Sequence, residues 1–166
     1  DDAMIETGPG PGPPSMHVLP ESPDFRVPAE GSTIRVISVA DGRILTGHEV
    51  MAVRIEQGAA VSDLQRDIIK LAVVERHKAT GNIGIGFVAG FGLKSGAIAG
   101  SVAHDSHHII AAGPDDRDLK FAVEAVIDMG GGLVVVRDRR VTASLRLPIA
   151  GLMSDLPLRD VAEKTA

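Results

Sequence analysis

The sequence predicts an α+β domain, with two principal helices packed on one side of a mixed or mainly antiparallel sheet. Segments that alternate apolar and polar residues occur in pairs, which is typical of antiparallel strands. Two other segments repeat apolar residues at helical spacing. A chain of 166 residues can bury one core, and because only 2% of the residues are aromatic, that core must be mainly aliphatic.

The N-terminal residues 1–24 are expected to be a disordered linker rich in proline and glycine. Residues 8–14 (GPGPGPP) cannot form a helix or a sheet ladder, because proline lacks a backbone N–H and fixes φ. Pro20 and Pro23 extend the irregular composition. The folded domain is therefore predicted to cover residues 25–166.

In the first half of the domain we predict two strands followed by the first principal helix. Residues 33–39 and 50–55 show the alternation of strands. Ser62 begins a capping box (SDLQ), which predicts a helix start, and Gly81 ends the helical pattern. The residues assigned to one face of this helix are Leu64, Ile68, Leu71, Ala72 and Glu75.

The second half is predicted to contain a further strand, the second principal helix and a hairpin. Residues 83–88 have the composition of a strand. The helix begins at Asp115 and Asp116, whose carboxylates suit a helix N-terminus, and the glycines of residues 130–132 end it after Met129. The elements predicted to follow are a hairpin of residues 133–136 and 141–147, and a short helix that starts at Pro157 and is capped by Ser154 or Asp155.

A cluster of polar residues interrupts an apolar stretch and is the candidate functional site. Its members are His104, Asp105, Ser106, His107 and His108. Small and β-branched residues flank the cluster on both sides, and buried polar groups in such a setting need partners. We therefore expect either a functional site or a satisfied structural network of hydrogen bonds, since ionisable groups of this kind collect at functional places.

The conformation of this segment decides which chemistry it can support. On a helix, His104, His107 and His108 would share one face and could converge on a metal ion. The strand-like flanks instead predict a loop that joins two strands, which favours a loop that contacts substrate or closes a pocket. In an extended segment Asp105 and His107 would point the same way, so the carboxylate could orient the imidazole. The other histidines are isolated in sequence, and we assign them no role.

Composition excludes several classes of function. The formal net charge of −5 argues against a nucleic-acid partner, and no stretch approaches the length of a membrane span. Cysteine is absent, so we predict no disulfide and expect a cytoplasmic location. The glycine-rich residues 81–100 superficially match a nucleotide-binding loop. No helix is predicted to open behind them and Leu93 precedes Lys94, so they are interpreted as turns and close backbone approaches.

Several separated motifs resemble, in the same order, the C-terminal domain of bacterial adenine deaminase, a member of the amidohydrolase superfamily. The resemblance extends over about residues 25–165. The motifs that carry it are residues 70–77 (KLAVVERH), 86–94 (GFVAGFGLK), 96–99 (GAIA), 101–107 (SVAHDSH), 130–136 (GGGLVVV) and 147–155 (LPIAGLMSD). The sequence departs from the family pattern at His108, where the family usually has asparagine.

The resemblance implies a hydrolase that converts adenine and water to hypoxanthine and ammonia. In the family a manganese or iron centre lies in a separate barrel domain and activates the attacking water. This chain has no His-x-His motif at a strand end and is shorter than a barrel of about 250 residues. We therefore expect a fragment or separately encoded domain that contains no catalytic residue, binds no metal by itself and is inactive alone.

The expected partners of this chain are adenine and the barrel domain of the same or a companion chain, with a homo-oligomer also possible. The cluster of residues 104–108 would then line or close the adenine pocket. Two alternatives remain open at this point. One is a stand-alone, non-catalytic module for purine binding or assembly, and the other is a small protein that binds metal through its histidines.

Overall fold

The computed structural model describes residues 15–18 and 23–165, and the architecture within them is α+β, as predicted. The strands are β1 (Val27–Pro28), β2 (Thr33–Ser38), β3 (Gly47–Ala52), β4 (Arg54–Glu56), β5 (Ala59–Val61), β6 (Ile68–Val74), β7 (Ile83–Ala89), β8 (Ala97–Gly100), β9 (Ile109–Gly113), β10 (Gly132–Arg137) and β11 (Arg140–Arg146). The helices are α1 (Asp116–Asp128) and α2 (Leu158–Thr165).

Eight of these strands form one mixed sheet. Their spatial order is β11-β10-β8-β9-β6-β7-β2-β3, and every neighbouring pair is antiparallel except β2 and β7. Three short strands form a second sheet in the order β1-β5-β4. The strand predicted at residues 50–55 is divided between the two sheets, because the chain leaves β3 at Ala52 and enters β4 at Arg54.

The first of the two predicted principal helices is wrong, because residues 68–74 form strand β6 in the middle of the large sheet. Strand β6 pairs with β7 on one side and β9 on the other, so most of it is buried. Strands buried on both faces have nearly continuous apolar sequences, which periodicity alone does not distinguish from a helix. The side chain of Asp63 accepts hydrogen bonds from the backbone N–H groups of Gln65 and Arg66, which closes a turn instead of capping a helix.

The second predicted helix is confirmed as α1. Asp115 is its N-cap, and its side chain accepts hydrogen bonds from the backbone N–H groups of Arg117 and Asp118. The apolar face of α1 packs on the sheet and is completely buried at Leu119, Ala122, Val123 and Val126. The predicted strands at residues 33–39 and 83–88, the hairpin and the C-terminal helix are also confirmed.

One face of the large sheet is covered by α1 and the small sheet, whereas the other is buried only in part, at Ile69, Val88 and Ala112. Alternate residues of its central strands, including Ala72, Ala111 and Val134, point to α1 and form the main core. The small sheet covers the neighbouring part of the same face through a cluster that contains Ala60 and Phe87. The opposite face carries the intervening side chains of the same strands, and two of them, Leu133 and Val135, are about 40% exposed.

Part of the predicted N-terminal linker lies against the domain. Met16 and Val18 pack on the main core, and the backbone N–H of His17 donates a hydrogen bond to the carbonyl of Arg76 (2.8 Å). The remainder of the predicted linker, residues 1–14 and 19–22, lies outside the described residues. The boundary at residue 25 therefore stays a prediction.

Three consecutive glycines follow the end of helix α1, as predicted, and all have positive φ. The values are +74° at Gly130, +114° at Gly131 and +145° at Gly132. A Cβ at Gly130 would meet nothing within 4 Å, whereas one at Gly132 would overlap the carbonyl oxygen of Leu145 on the neighbouring strand. Gly130 is therefore required for its conformation alone, and Gly132 also for close approach of the backbone.

These two glycines provide a matched pair of substitutions. We expect Gly130→Ala to lower the free energy of unfolding by about 1–2 kcal/mol, the cost of a left-handed residue with a side chain. Gly132→Ala is expected to cost more, because β11 must also move away from β10. Denaturant unfolding of both variants measures the difference. Equal losses of unfolding free energy would show that the carbonyl of Leu145 moves aside without destabilising the sheet.

Candidate functional site

The predicted cluster lies on a loop, residues 101–108, that joins β8 to β9, as expected from its strand-like flanks. The loop turns tightly, because the backbone N–H of His107 donates to the carbonyl of Ala103 (2.9 Å) and that of Ser106 donates to His104 (2.9 Å). Asp105 and His107 have φ values of +66° and +49°. These left-handed residues reverse the chain direction twice within the loop.

The turn separates the predicted site residues into two groups. The side chains of His104 and Asp105 are 96% and 89% exposed and pair with each other, with 3.1 Å between Nδ1 and Oδ1. His107 and His108 are half-buried on the domain side, while Ser106 is exposed between the two groups. The expected pairing of Asp105 with His107 is therefore wrong, because it assumed an extended segment.

Arg76 lies two residues after strand β6 and holds this loop in place through a hydrogen bond to its backbone. Its side chain is 1% exposed and carries no carboxylate partner in the structure described here. Instead, Nε donates to the carbonyl of His107, one terminal nitrogen to the carbonyl (3.1 Å) and hydroxyl (2.9 Å) of Ser15, and the other to the carbonyl of Ala150 (3.0 Å). The guanidinium thus joins three separate segments of the chain.

The environment of Arg76 is unusual for a cation. Desolvation by burial lowers the pKa of its guanidinium, but arginine remains charged in proteins. Among the described residues, three carbonyl oxygens and the Ser15 hydroxyl compensate this charge. Each must stay at hydrogen-bonding distance, because losing one would leave a buried donor unpaired. Gly151 must also lack a side chain, since a Cβ there would press against the guanidinium.

His77 belongs to the site although it is isolated in the sequence. Its Nε2 donates a hydrogen bond to the carbonyl of Ser106 (2.9 Å). Its ring centroid lies 5.1 Å from that of His108, with the planes tilted by 44°. The signal available in the sequence was its position directly after two charged residues, Glu75 and Arg76, that follow a long apolar segment.

Glu75 holds the hairpin loop that presents Arg76 and His77. Its carboxylate accepts hydrogen bonds from the backbone N–H groups of His77, Lys78 and Thr80 and from the Thr80 hydroxyl. Desolvation raises the pKa of Glu75, but these hydrogen bonds outweigh it and lower the pKa to about 2. The ionised carboxylate therefore stabilises the loop.

Ser101 is the first residue of the loop of residues 101–108, which we call the histidine loop, and it connects this loop to two further motifs of the chain. Its hydroxyl accepts a hydrogen bond from the backbone N–H of Gly132 (2.8 Å) and donates one to the carbonyl of Gly151. Its backbone N–H also donates to the carbonyl of Gly132 (3.0 Å). Three motifs that are distant in sequence therefore meet at the base of the loop.

Two imidazole nitrogens at this place have no partner. The Nδ1 atoms of His107 and His108 are buried and form no hydrogen bond with any residue that the structure describes. Buried polar groups are normally paired, so an unpaired one indicates a missing ligand, water or partner. We call His77, His107 and His108 the histidine cluster.

The histidine cluster does not form a metal site by itself. Among the described residues, no three His, Cys, Asp or Glu side chains are grouped so that they could hold a metal ion. His104 points to solvent, away from His107 and His108. The manganese or iron centre implied by the resemblance therefore finds no set of ligands in this part of the chain. Within the same residues, neither helix is long and apolar enough to cross a membrane.

Comparison with known proteins identifies the family. Residues 43–166 match the model of the adenine deaminase C-terminal domain. The chain belongs to this family. It is 55% identical to the adenine deaminase of Methanothrix thermoacetophila over 84% of this chain and 24% of the relative. It is 51% identical to that of Oleidesulfovibrio alaskensis (89% and 26%) and 50% identical to that of Desulfatibacillum aliphaticivorans (95% and 28%). The resemblance drawn from the motifs is confirmed.

The chain spans about a quarter of the length of these curated relatives. It therefore corresponds to the C-terminal portion of an adenine deaminase. The motifs that carry the resemblance include most of the residues that anchor the histidine loop, namely Glu75, Arg76, His77, Ser101, Gly132, Ala150 and Gly151.

The lowered pKa of Glu75 predicts a specific loss of stability in acid. Because the folded-state pKa lies below the ordinary value of 4.5, the stabilisation is complete above about pH 4.5 and is lost as the pH falls towards 2. We expect Glu75→Gln to lower the free energy of unfolding near pH 6 by about 1 kcal/mol, a value discounted for solvent screening. The deficit should shrink towards pH 2. Glu30→Gln, an exposed carboxylate elsewhere, is the control.

The role of Arg76 predicts that a positive charge at this position is not sufficient to hold residues 101–108 in place. Arg76→Lys keeps the charge, but one ammonium group cannot reach the carbonyls of Ser15, His107 and Ala150 together. We expect the free energy of unfolding to fall by about 1.5–3 kcal/mol, with faster hydrogen exchange in residues 101–108. The exposed Arg54→Lys is the control. Unchanged exchange in that loop would contradict the anchoring role.

Proposed function

We propose that this chain is the C-terminal domain of an enzyme that hydrolyses adenine to hypoxanthine and ammonia. Its residues 101–108 line or close the adenine pocket of a catalytic domain that lies outside this chain. Membership of the adenine deaminase family supports the reaction, because the matching relatives carry that name. In the whole enzyme, the exposed tip with His104 and Asp105 reaches towards the neighbouring domain.

The observation that carries this proposal is that His107 and His108 are half-buried on this loop and that their Nδ1 atoms form no hydrogen bond with any described residue. Because both atoms are buried within this chain, contact with a purine requires the imidazole rings to turn. Adenine presents ring nitrogens that accept hydrogen bonds and an exocyclic amino group that donates them. A neutral imidazole has one donor and one acceptor, so it can satisfy either kind of group. Ligand pockets are mostly apolar with a few convergent polar groups, and a loop held rigidly by Arg76 supplies such groups without reorganisation.

The chemical step is assigned to the catalytic domain. Water adds to the carbon that bears the amino group, and ammonia leaves as the carbonyl of hypoxanthine forms. A manganese or iron ion in that domain would supply an activated water, whereas the residues of this chain bind and orient the purine and exclude solvent. No catalytic residue and no metal ligand is assigned to this chain. We place the enzyme in the cytoplasm, as the absence of cysteine favours.

The proposal predicts a defined loss of activity when the histidines are removed from the full-length protein. We expect His107→Ala and His108→Ala each to lower kcat/KM for adenine by about 3-fold to 100-fold, the range for a neutral to a charge-assisted hydrogen bond. Bound metal should not change. Conversion of adenine to hypoxanthine, followed spectroscopically, gives the rates, and elemental analysis gives the metal content.

Two further variants distinguish a pocket from a structural network. His48→Ala, on the exposed strand β3, is the control and should leave turnover unchanged. His108→Asn should restore much of the activity lost in His108→Ala, because an amide also offers a donor and an acceptor. If all variants keep normal kinetics and only melt at lower temperature, the cluster is structural. Adenine binding without hypoxanthine formation in the unaltered protein would instead favour a non-catalytic purine-binding module.

A further inference from the structure

The sheet face opposite α1 carries an accessible apolar patch. Six side chains form it, and we call them the open-face patch: Leu71, Phe91, Ile98, Val102, Leu133 and Val135. They line a depression of about 340 Å³, and none of them is charged. Four of the six are 41–52% exposed, although each is a large hydrophobic residue. Contiguous exposed apolar surface of this kind marks an interaction site.

Phe91 gives the patch a rigid anchor. It is one of only four aromatic residues in the chain, and it lies at the tip of the loop between β7 and β8. The carboxylate of Asp67 accepts hydrogen bonds from the backbone N–H groups of Gly90 (3.0 Å) and Gly92 (2.9 Å), on either side of it. The phenyl ring is therefore held exposed at 41% on a fixed backbone. Preorganised aromatic side chains of this type commonly carry much of the energy of an interface.

The open-face patch is continuous with the candidate functional site. Val102 belongs to the patch and is 52% exposed, and it is also part of the loop of residues 101–108 that presents the histidines. Gly100, the last residue of β8, lines the same depression. A partner seated on the patch would therefore lie beside His107 and His108.

We propose that the open-face patch binds the catalytic domain of the same enzyme. This inference rests on the proposed function. The relatives are about four times as long as the part that this chain matches, so their domain adjoins a much larger body. Only an apolar surface fits six uncharged side chains without leaving buried polar groups unpaired. The contact fixes the histidine loop against the adenine pocket.

A second copy of this chain is the rival occupant. It would bury the same side chains, but it would not place a purine pocket beside the unpaired nitrogens of His107 and His108. A catalytic domain satisfies the patch and the histidine cluster together. The two occupants differ in one measurable respect, because contact within one polypeptide does not depend on protein concentration whereas contact between copies does.

Cysteine labelling of the full-length protein tests the proposal, and the absence of cysteine from this chain makes each introduced thiol unique within it. The test positions are Val135→Cys and Val102→Cys, both in the open-face patch. The control is Val141→Cys in the same hairpin as Val135. Val141 pairs with Val136, whose side chain points to the α1 side, and it is 44% exposed against 42% for Val135. The rate of modification by a maleimide, read by peptide mass, is the measurement.

We expect both patch thiols to react at least about tenfold more slowly than Val141→Cys, equivalent to an opening cost of about 1.4 kcal/mol. This protection should persist on dilution to the monomer. Equal rates at all three positions would overturn the proposal, and protection lost on dilution would assign the patch to a second copy. A variant that fails to fold is recognised by circular dichroism, and the other patch position then decides.

The labelling experiment tests the domain contact separately from the deamination of adenine. An unaltered protein that does not deaminate adenine, but whose patch is protected, refutes the proposed function and leaves the domain contact standing. A protein that deaminates adenine with a freely reactive patch refutes the contact alone.

Discussion

The burial of the Arg76 guanidinium is the constraint on which the candidate site depends. A cation removed from water needs compensation, and among the described residues carbonyl oxygens and the Ser15 hydroxyl supply it instead of a carboxylate. The histidine loop, the segment at Ser15 and the loop at Ala150 must therefore each approach one side chain. Their mutual positions follow from the direction of its donors. The planar guanidinium can satisfy three directions at once, which a lysine cannot.

The two faces of the large sheet have different roles. One face is filled by α1 and the small sheet, and its buried aliphatic side chains make it the stable half of the domain. The other face exposes Phe91, Leu133 and Val135, and exposed apolar side chains do not stabilise the isolated domain. The histidine loop leaves the sheet at the border of this second face. Stability and the proposed recognition are therefore carried by alternate residues of the same strands, as the pleat of a sheet permits.

Most of the described contacts made by the family motifs hold the loop of residues 101–108 in place. Glu75 organises one hairpin, Ser101 ties the loop to Gly132, and Gly151 leaves room for the guanidinium. His108, the position at which the resemblance led us to expect asparagine, lies on the loop that these residues support. An amide and a neutral imidazole both offer a donor and an acceptor.

From the sequence alone we could predict the fold class, helix α1 with its glycine stop, the C-terminal hairpin and the loop that carries His104–His108. These features depend on local signals, namely apolar spacing, capping and turn residues. Tertiary structure decided the rest. Residues 68–74 form a strand because they pair with β7 and β9 in the middle of a sheet. The spacing of apolar residues within a segment does not reveal such pairing. The partners of Arg76, the place of His77 and the separation of Asp105 from His107 likewise arise from contacts between distant segments.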